Sequence, residues 1–396
     1  MPSRPFDNYR TAIDDPESFF GRASLLKYFR EKPGWVHVLL GGQRIGKTSM
    51  LRALEWSMLE LRPDRSNSLF PVLVNLQAEQ PQSADHFRYL LVARLRDALA
   101  RYRRTAEEFS WADLRSAYRT FVGRFEEVKL EQSFLKLKLK LPTNALSPED
   151  FRTAFQAGMD ELQEARFQGV LFLLDEAEYV TSKDWANDAW SHIRGFKDTD
   201  PLKAAMGLVI SGFRGVLEYQ QRVGSPLRNI AQTAWMAGFE PETARKLIVG
   251  RFADEDTPLR ESDLEFLWNY SGGYPFLLQQ MINLVIDVRR GQGIEGGTSH
   301  EVLVRKALLE HHLVFRDWWN GKGKFDGLTE RERAVYGQIP DSGRISLDDM
   351  LSRLNAKLMP LLETLQILCG SGLVREVERE EYEITSFLFR KWTQSQ

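Results

Sequence analysis

Short apolar runs alternate with segments of helical periodicity between residues 36 and 240. Each run is bounded by glycine, proline or polar residues, which is typical of a buried strand. The predicted strands are VHVLL (36–40), PVLVNLQ (71–77), GVLFLLDEAEYV (169–180), MGLVISGF (206–213) and TAWMAGF (233–239). Because strands alternate with helices, the pattern predicts an α/β fold with a parallel sheet covered on both faces.

The pattern changes near residue 240, where helical periodicity continues without strands to about residue 319. The segment NGKGKFDG (320–327) predicts a linker. Three helices and two short strands are predicted after it, in the order of a winged helix. We therefore predict an N-terminal segment at 1–30, a core at 31–240, a helical lid at 241–320 and a winged-helix domain at 328–396.

The core contains a predicted insertion at about 100–146. Within it, SFLKLKLKLP (133–142) alternates leucine with lysine at the period of a strand, so that Lys136, Lys138 and Lys140 share one face. Such a face either protects an edge strand against unwanted pairing or docks an acidic partner or a phosphate backbone. The sequence leaves both interpretations open.

The bulk composition narrows the classes of function. Lys+Arg (53) nearly balances Asp+Glu (55), so a net charge of −2 gives no overall attraction to nucleic acid or membrane. Cys369 is the single cysteine, which excludes an internal disulfide and a cysteine zinc cluster; we expect it to act as a small buried apolar residue. Neither a signal peptide nor a membrane-spanning run is visible. We expect a cytoplasmic protein that does not bind membranes.

The clearest chemical motif follows the first predicted strand. GGQRIGKT matches the P-loop pattern at every fixed position and lies between a predicted strand and a predicted helix. Its glycines let backbone N–H groups curl around phosphates at a helix N-terminus. Lys47 would reach the β- and γ-phosphates, and Thr48 would ligate Mg²⁺. The predicted cradle for ATP or ADP comprises Gly41, Gly42, Gln43, Arg44, Ile45, Gly46, Lys47, Thr48 and Ser49.

A P-loop requires an acidic residue at the tip of a neighbouring strand, and VLFLLDE (170–176) ends in two. Asp175 would hold Mg²⁺ through water, and Glu176 would polarise the water that attacks the γ-phosphate. Glu178 is a second candidate for the role of Glu176. We prefer to interpret Glu178 as a solvated surface glutamate.

Three other polar residues are candidates for contacts with the phosphates. Ser211 ends the fourth predicted strand, where its hydroxyl could touch the γ-phosphate or the attacking water. Arg214 follows closely and could report the phosphate charge; a simple turn at Ser-Gly explains both residues equally well. Arg228 could reach a neighbouring subunit's site, although we prefer to interpret it as an ordinary surface arginine.

Taken in order, these motifs resemble those of the STAND and archaeal-type ATPases, which are related to the AAA+ P-loop group. The segment Phe19-Phe20-Gly21-Arg22 is similar to the family's entry box, which lies over the adenine, although Leu25 stands where that box often has glutamate. The stretch SGGYPF (271–276) is similar to the G-x-P element of the lid. In such proteins this element touches the nucleotide and couples it to the winged helix, which implies a contact from Pro275.

The resemblance implies a switch that is controlled by ATP, ADP and Mg²⁺ and hydrolyses ATP slowly, in prokaryotic defence or signalling. Family members commonly carry an effector domain before the ATPase or repeats after the winged helix. Since neither is seen, we expect a separate partner protein to respond to the switch. We also expect ATP to favour a homo-oligomer.

A DNA-remodelling or DNA-loading ATPase is the first alternative. A DNA-binding winged helix should have a basic footprint. Residues 328–396 contain 9 Lys+Arg and 11 Asp+Glu, so their net charge is 9 − 11 = −2, and the third helix, at 359–371, has no arginine or lysine. Specific DNA binding is therefore not expected. The second alternative is a nucleotide-binding scaffold without turnover, against which Glu176 argues.

Overall fold

A computed structural model describes residues 12–13, 16, 18–60, 68–108, 144–292, 300–321 and 327–396. The chain divides into two compact units. The sheet unit comprises Ala12–Leu40 and Lys47–Ala234, and the C-terminal unit comprises Gly41–Gly46 and Trp235–Gln396. The glycine-rich loop therefore groups with the C-terminal unit, although it leads into the helix that begins at Lys47.

Five strands form the central sheet. They are β1 (Val36–Leu40), β2 (Leu69–Asn75), β3 (Gly169–Asp175), β4 (Met206–Gly212) and β5 (Ala231–Trp235). Their order in the sheet is β2-β3-β4-β1-β5, and the pairs β2–β3, β3–β4 and β1–β4 are parallel. Strands β1, β3 and β4 are buried along their whole length, as continuous apolar runs require. The predicted α/β fold with a parallel sheet is confirmed.

Helices accompany the strands of the sheet unit. They are α1 (Ala23–Glu31), α2 (Lys47–Glu60), α3 (Leu76–Glu79), α4 (Ala84–Glu108), α5 (Pro148–Glu164), α6 (Glu178–Thr181), α7 (Ala186–Thr199) and α8 (Arg214–Gln221). Helix α5 begins with an N-cap, because the Ser147 hydroxyl accepts a hydrogen bond from the Asp150 N–H at 3.1 Å.

The C-terminal unit is mostly helical. Its helices are α9 (Pro241–Asp254), α10 (Glu261–Ser271), α11 (Pro275–Gln292), α12 (His300–Asn320), α13 (Glu330–Gln338), α14 (Leu347–Leu354), α15 (Leu358–Gly370) and α16 (Phe387–Gln394). A small antiparallel sheet has the order β6-β8-β7, with β6 at Ile345–Ser346, β7 at Val374–Glu378 and β8 at Glu381–Ile384. Burial raises the pKa of the Cys369 thiol on α15 to about 12, which suits an unreactive side chain.

Several predicted strand ends are wrong. The third strand stops at Asp175, because Glu176 adopts a left-handed backbone with φ 53° that a strand cannot continue through. The second strand stops at Asn75, whose side chain caps α3 by accepting a hydrogen bond from the Ala78 N–H. The fifth strand lies earlier than predicted, at Ala231–Trp235.

The C-terminal segment contains more than the predicted three helices and two strands. The short strand β6 pairs with β8, and α16 follows β8. Phe389 of α16 packs on Phe315 and Trp318 of α12, with ring centroids 5.3 and 5.6 Å apart. Helix α16 therefore packs on α12, a helix of the predicted lid.

Some predictions fall outside the described residues. These are the Leu/Lys segment with Lys136, Lys138 and Lys140 and most of the linker at 320–327. They stay predictions. Within the described ranges, each helix is too short or too polar to span a bilayer.

Candidate functional site

Hydrogen bonds join three predicted site residues in the sheet unit. The Asp175 carboxylate, at the end of β3, accepts a hydrogen bond from the Thr48 hydroxyl at 2.7 Å and another from the Ser211 hydroxyl at 3.0 Å. Asp175 is 2% exposed and Ser211 is 0% exposed. Since β3 and β4 are adjacent, with Leu174 opposite Ile210, the sheet itself brings Ser211 beside Asp175.

This donor set fits a hard divalent cation. Mg²⁺ prefers oxygen ligands and usually combines one or two carboxylates with phosphate oxygens and water. Thr48 and Asp175 offer a hydroxyl and a carboxylate at one point. The described ranges contain no group of three His, Cys, Asp or Glu that could hold an ion. Thr48 and Asp175 thus fit a partial Mg²⁺ site, in which phosphate oxygens and water would be the remaining ligands.

Glu176 follows Asp175 at the point where the chain leaves the sheet. A left-handed backbone is uncommon for a residue other than glycine, and such strain often accompanies a functional site. The pKa of Glu176 is raised, chiefly by desolvation and then by the negative charges of Asp175 and Glu178, while Lys47 lowers it. A carboxylate with a raised pKa in this position can polarise a water molecule or accept its proton.

The glycine-rich loop packs closely within the C-terminal unit. The hydroxyl of Tyr274 donates a hydrogen bond to the backbone carbonyl of Gln43. A Cβ atom at Gly42 would lie 2.5 Å from the Ser371 carbonyl oxygen, so only glycine fits there. The Arg44 guanidinium lies 4.6 Å from the centre of the Phe276 ring. Three segments of the C-terminal unit therefore pack against the loop. Tyr274 lies between α10 and α11, Phe276 lies in the first turn of α11, and Ser371 follows α15.

Ser49 of the predicted cradle and Arg22 of the predicted entry box have structural contacts. Ser49, in α2, is buried, and its hydroxyl accepts a hydrogen bond from the Ile13 N–H at 3.0 Å. Arg22 has a left-handed backbone with φ 65°, and its carbonyl accepts a hydrogen bond from the Leu26 N–H at 3.0 Å. The Ser49 hydroxyl thus anchors the N-terminal segment on α2, a role that the sequence did not predict.

Arg214 and Glu178 flank the end of β4. Arg214 is the first residue of α8 and is 8% exposed. Glu178, in α6, accepts a hydrogen bond from the backbone N–H of Phe213. The interpretation of Glu178 as a solvated surface glutamate is therefore wrong, because its half-buried carboxylate binds the backbone beside Arg214.

Other predicted site residues lie at helix starts or in a turn. Pro275 is the first residue of α11 and follows Tyr274 directly. Arg228 is exposed in the turn before β5, where its N–H donates to the Ser225 carbonyl at 3.3 Å. Lys47 and Thr48 occupy the first turn of α2, whose leading N–H groups have no intrahelical acceptors.

The chain is similar in fold to solved structures of other proteins. A Walker-type ATPase of Pyrococcus abyssi is 16% identical, with a TM-score of 0.53, and the match covers 97% of this chain and 98% of that one. The chain has the P-loop NTPase fold. The ORC2 protein of Aeropyrum pernix, solved in ADPNP–ADP complexes, is 13% identical with a TM-score of 0.49, covering 99% and 98% of the two chains. No protein-family model matches the chain, and no curated protein matches it in sequence.

This fold explains why the candidate residues meet. In open parallel sheets, ligands bind beyond the carboxyl ends of the strands. Asp175 and Ser211 lie at such ends, and Thr48 lies in the helix that follows the glycine-rich loop. At 16% identity, however, the similarity establishes the fold alone.

Sequence reasoning missed two hydrogen bonds, one in each unit. It treated SGGYPF as an element that acts through Pro275, whereas the Tyr274 hydroxyl is the group that contacts Gln43. It also missed the hydrogen bond from Phe213 to Glu178. The signal for Tyr274 was its position beside the glycines of that element. The signal for Glu178 was the pair Gly212 and Gly215, which leaves space beside a half-buried acid.

Proposed function

We propose that this protein is an ATP-binding, Mg²⁺-dependent switch that hydrolyses ATP slowly and passes its nucleotide state to a separate partner protein. Lys47 binds the β- and γ-phosphates, and Thr48 and Asp175 hold Mg²⁺. Bound Mg²⁺ would neutralise phosphate charge during the reaction. Glu176 orients and polarises the attacking water, and Ser211 and Arg214 respond to the γ-phosphate.

The observation that carries this proposal is the hydrogen-bonded set of Thr48, Asp175 and Ser211. A buried carboxylate is stabilised when hydrogen bonds satisfy it. Here both carboxylate oxygens accept hydroxyl hydrogen bonds, one from the P-loop helix and one from the neighbouring strand. A buried carboxylate and a hydroxyl held together in this way would supply oxygen ligands of the kind that Mg²⁺ prefers, which supports the proposal.

Contacts of the loop support control by nucleotide state. The backbone of Gln43 and Gly42 is the part of the motif that would wrap phosphates, and the same backbone meets Tyr274 and Ser371. A ligand can shift a conformational equilibrium only if it binds the two states differently. Since Tyr274 and Ser371 lie against the loop, a change at the phosphates would alter their contacts with Gln43 and Gly42.

The resemblance suggests the biological role, and the charge of the C-terminal segment bears on the kind of partner. We propose a role in prokaryotic defence or signalling, with ADP favouring a closed monomer and ATP exposing a surface for self-assembly. The acidic balance of residues 328–396 favours a protein partner over duplex DNA.

Phosphate release from ATP, measured with Mg²⁺ and with EDTA, tests the proposal. We expect slow turnover with Mg²⁺ that EDTA abolishes, and binding of both ATP and ADP by titration calorimetry. Absence of nucleotide binding in both titrations would refute it. Binding without turnover would favour the scaffold alternative, and a sequence-specific nanomolar complex with duplex DNA would favour the DNA-remodelling alternative.

A further inference from the structure

Glu178 connects the two strand ends that carry the candidate site. It lies in α6, directly after the turn that follows Asp175. Its carboxylate accepts a hydrogen bond from the N–H of Phe213, the residue between Gly212 of β4 and Arg214 of α8. One side chain thus ties the segment after β3 to the segment after β4.

Two other hydrogen bonds join the same segments closer to the sheet. The Ala177 N–H donates to the Ser211 carbonyl at 3.0 Å, and the Ser211 hydroxyl donates to Asp175 at 3.0 Å. These bonds fix Ser211. The bond from Phe213 to Glu178 lies one step further along the chain, between Gly212 and the start of α8 at Arg214.

Two glycines, Gly212 and Gly215, leave space for the Glu178 side chain because they have no Cβ atom. A Cβ atom at Gly212 would lie 2.6 Å from the Glu178 carboxylate oxygen, and one at Gly215 would lie 3.2 Å from its Cγ. A carboxylate also stabilises the N-terminus of a helix through the helix dipole. The space beside Gly212 and Gly215 and the positive end of the α8 dipole therefore both suit the Glu178 carboxylate.

We propose that Glu178 is a positioning residue for recognition of the γ-phosphate. By accepting the Phe213 hydrogen bond it fixes the first turn of α8, and with it Arg214, relative to Asp175 and Glu176. This inference rests on the proposed function, since it assigns a role within the same site.

Two substitutions separate positioning from a direct role in proton transfer. Glu178→Gln keeps an acceptor oxygen of the same reach but loses the charge that a general base needs. Glu178→Ala removes the acceptor altogether. If Glu178 positions the turn, glutamine rescues the function that alanine loses; if Glu178 is a base, both substitutions impair hydrolysis.

The experiment compares wild type, both variants and Glu218→Ala, which removes an exposed carboxylate from α8, the helix that begins at Arg214. Affinities for ATP·Mg²⁺ and ADP are measured by titration calorimetry, and kcat and KM by phosphate release. For Glu178→Ala we expect the ATP-to-ADP affinity ratio and kcat each to fall by about tenfold, with ADP affinity changed less than about twofold. Glu178→Gln and Glu218→Ala should stay within about threefold of wild type.

Hydrogen exchange at the Phe213 amide gives a readout of positioning. We expect its protection to fall in Glu178→Ala and to be kept in Glu178→Gln. Wild-type behaviour of Glu178→Ala, or equal loss of activity in both variants, would overturn the positioning role while leaving ATP hydrolysis intact. Absence of ATP binding by the wild type would instead overturn the proposed function together with this role.

Discussion

The Tyr274 hydroxyl donates a hydrogen bond to the backbone carbonyl of Gln43, so a side chain next to the start of α11 holds the glycine-rich loop. The Tyr274 ring also packs on Trp318 of α12, with the ring centroids 4.8 Å apart. Both contacts lie within the C-terminal unit. Tyr274 therefore links the backbone that would surround phosphates to the aromatic core of this unit.

Tyr274→Phe should loosen the loop without disturbing the ring packing. The substitution removes one hydrogen bond, worth about 1 kcal/mol, so opening of residues 41–46 should become about fivefold more frequent. Hydrogen exchange of a peptide that covers the loop measures this change, and Tyr270→Phe on α10 is the matched control. Equal loop exchange in wild type and Tyr274→Phe would show that the hydroxyl does not restrain the loop.

Lys47→Ala should weaken ATP binding and leave the fold intact. The substitution removes the long cation of the cradle but keeps its backbone amides, so ATP affinity should fall by at least about tenfold, or about 1.4 kcal/mol. Titration calorimetry gives the affinity, and thermal unfolding without nucleotide checks stability. Lys246→Ala, an exposed lysine on α9, controls for the loss of one charge. Unchanged ATP affinity in Lys47→Ala would remove Lys47 from the site.

Glu176→Gln should separate binding from turnover. Glutamine keeps the size and hydrogen-bonding capacity of the side chain but cannot polarise water as a carboxylate does. We expect ATP·Mg²⁺ binding to be retained and hydrolysis to fall by about 10²-fold or more. Single-turnover phosphate release measures the effect. Hydrolysis at the wild-type rate in this variant would show that Glu176 is not the base.

Acid should destabilise the C-terminal unit through His311. Burial and then the nearby charge of Arg44 lower the pKa of His311 from 6.5 to about 4 in the folded protein. The unfolded chain therefore takes up the proton first as the pH falls below 6.5, and stability decreases down to about pH 4. The loss should be about 2 kcal/mol between pH 7.5 and pH 5.

Urea denaturation at pH 7.5 and pH 5 measures this dependence. His311→Gln should reduce the loss of stability on acidification. Burial also lowers the pKa values of His37 and His192, so part of the dependence should persist in His311→Gln. An identical pH dependence in wild type and His311→Gln would contradict the assignment.

Local sequence signals predicted most of the strands and the residues at their ends. Asp175 and Ser211 could be found because each follows a continuous apolar run, and such runs form buried parallel strands. Helix α16 was missed although its signals are local: Ser386 accepts a hydrogen bond from the Phe389 N–H, and Leu388, Phe389 and Trp392 form its buried face.

Contacts that depend on strand order could not be predicted in this way. The bond from Phe213 to Glu178 requires β3 and β4 to be neighbours, which crossover connections decide and local patterns do not. Tyr274 is 231 residues from Gln43 along the chain, so no periodicity relates them. The third predicted strand was too long because Ala177 and Val180 are apolar, and only the backbone of Glu176 shows where the strand stops.

The central claim is that the γ-phosphate operates a switch. Small-angle scattering and sizing chromatography on wild type and Glu176→Gln, first with ADP and then with ATP·Mg²⁺, test it most directly. We predict a compact monomer with ADP and a larger or assembled species with ATP·Mg²⁺, which Glu176→Gln should retain for longer because hydrolysis is slowed. Identical size and shape in both nucleotides, with bound nucleotide confirmed, would contradict the switch.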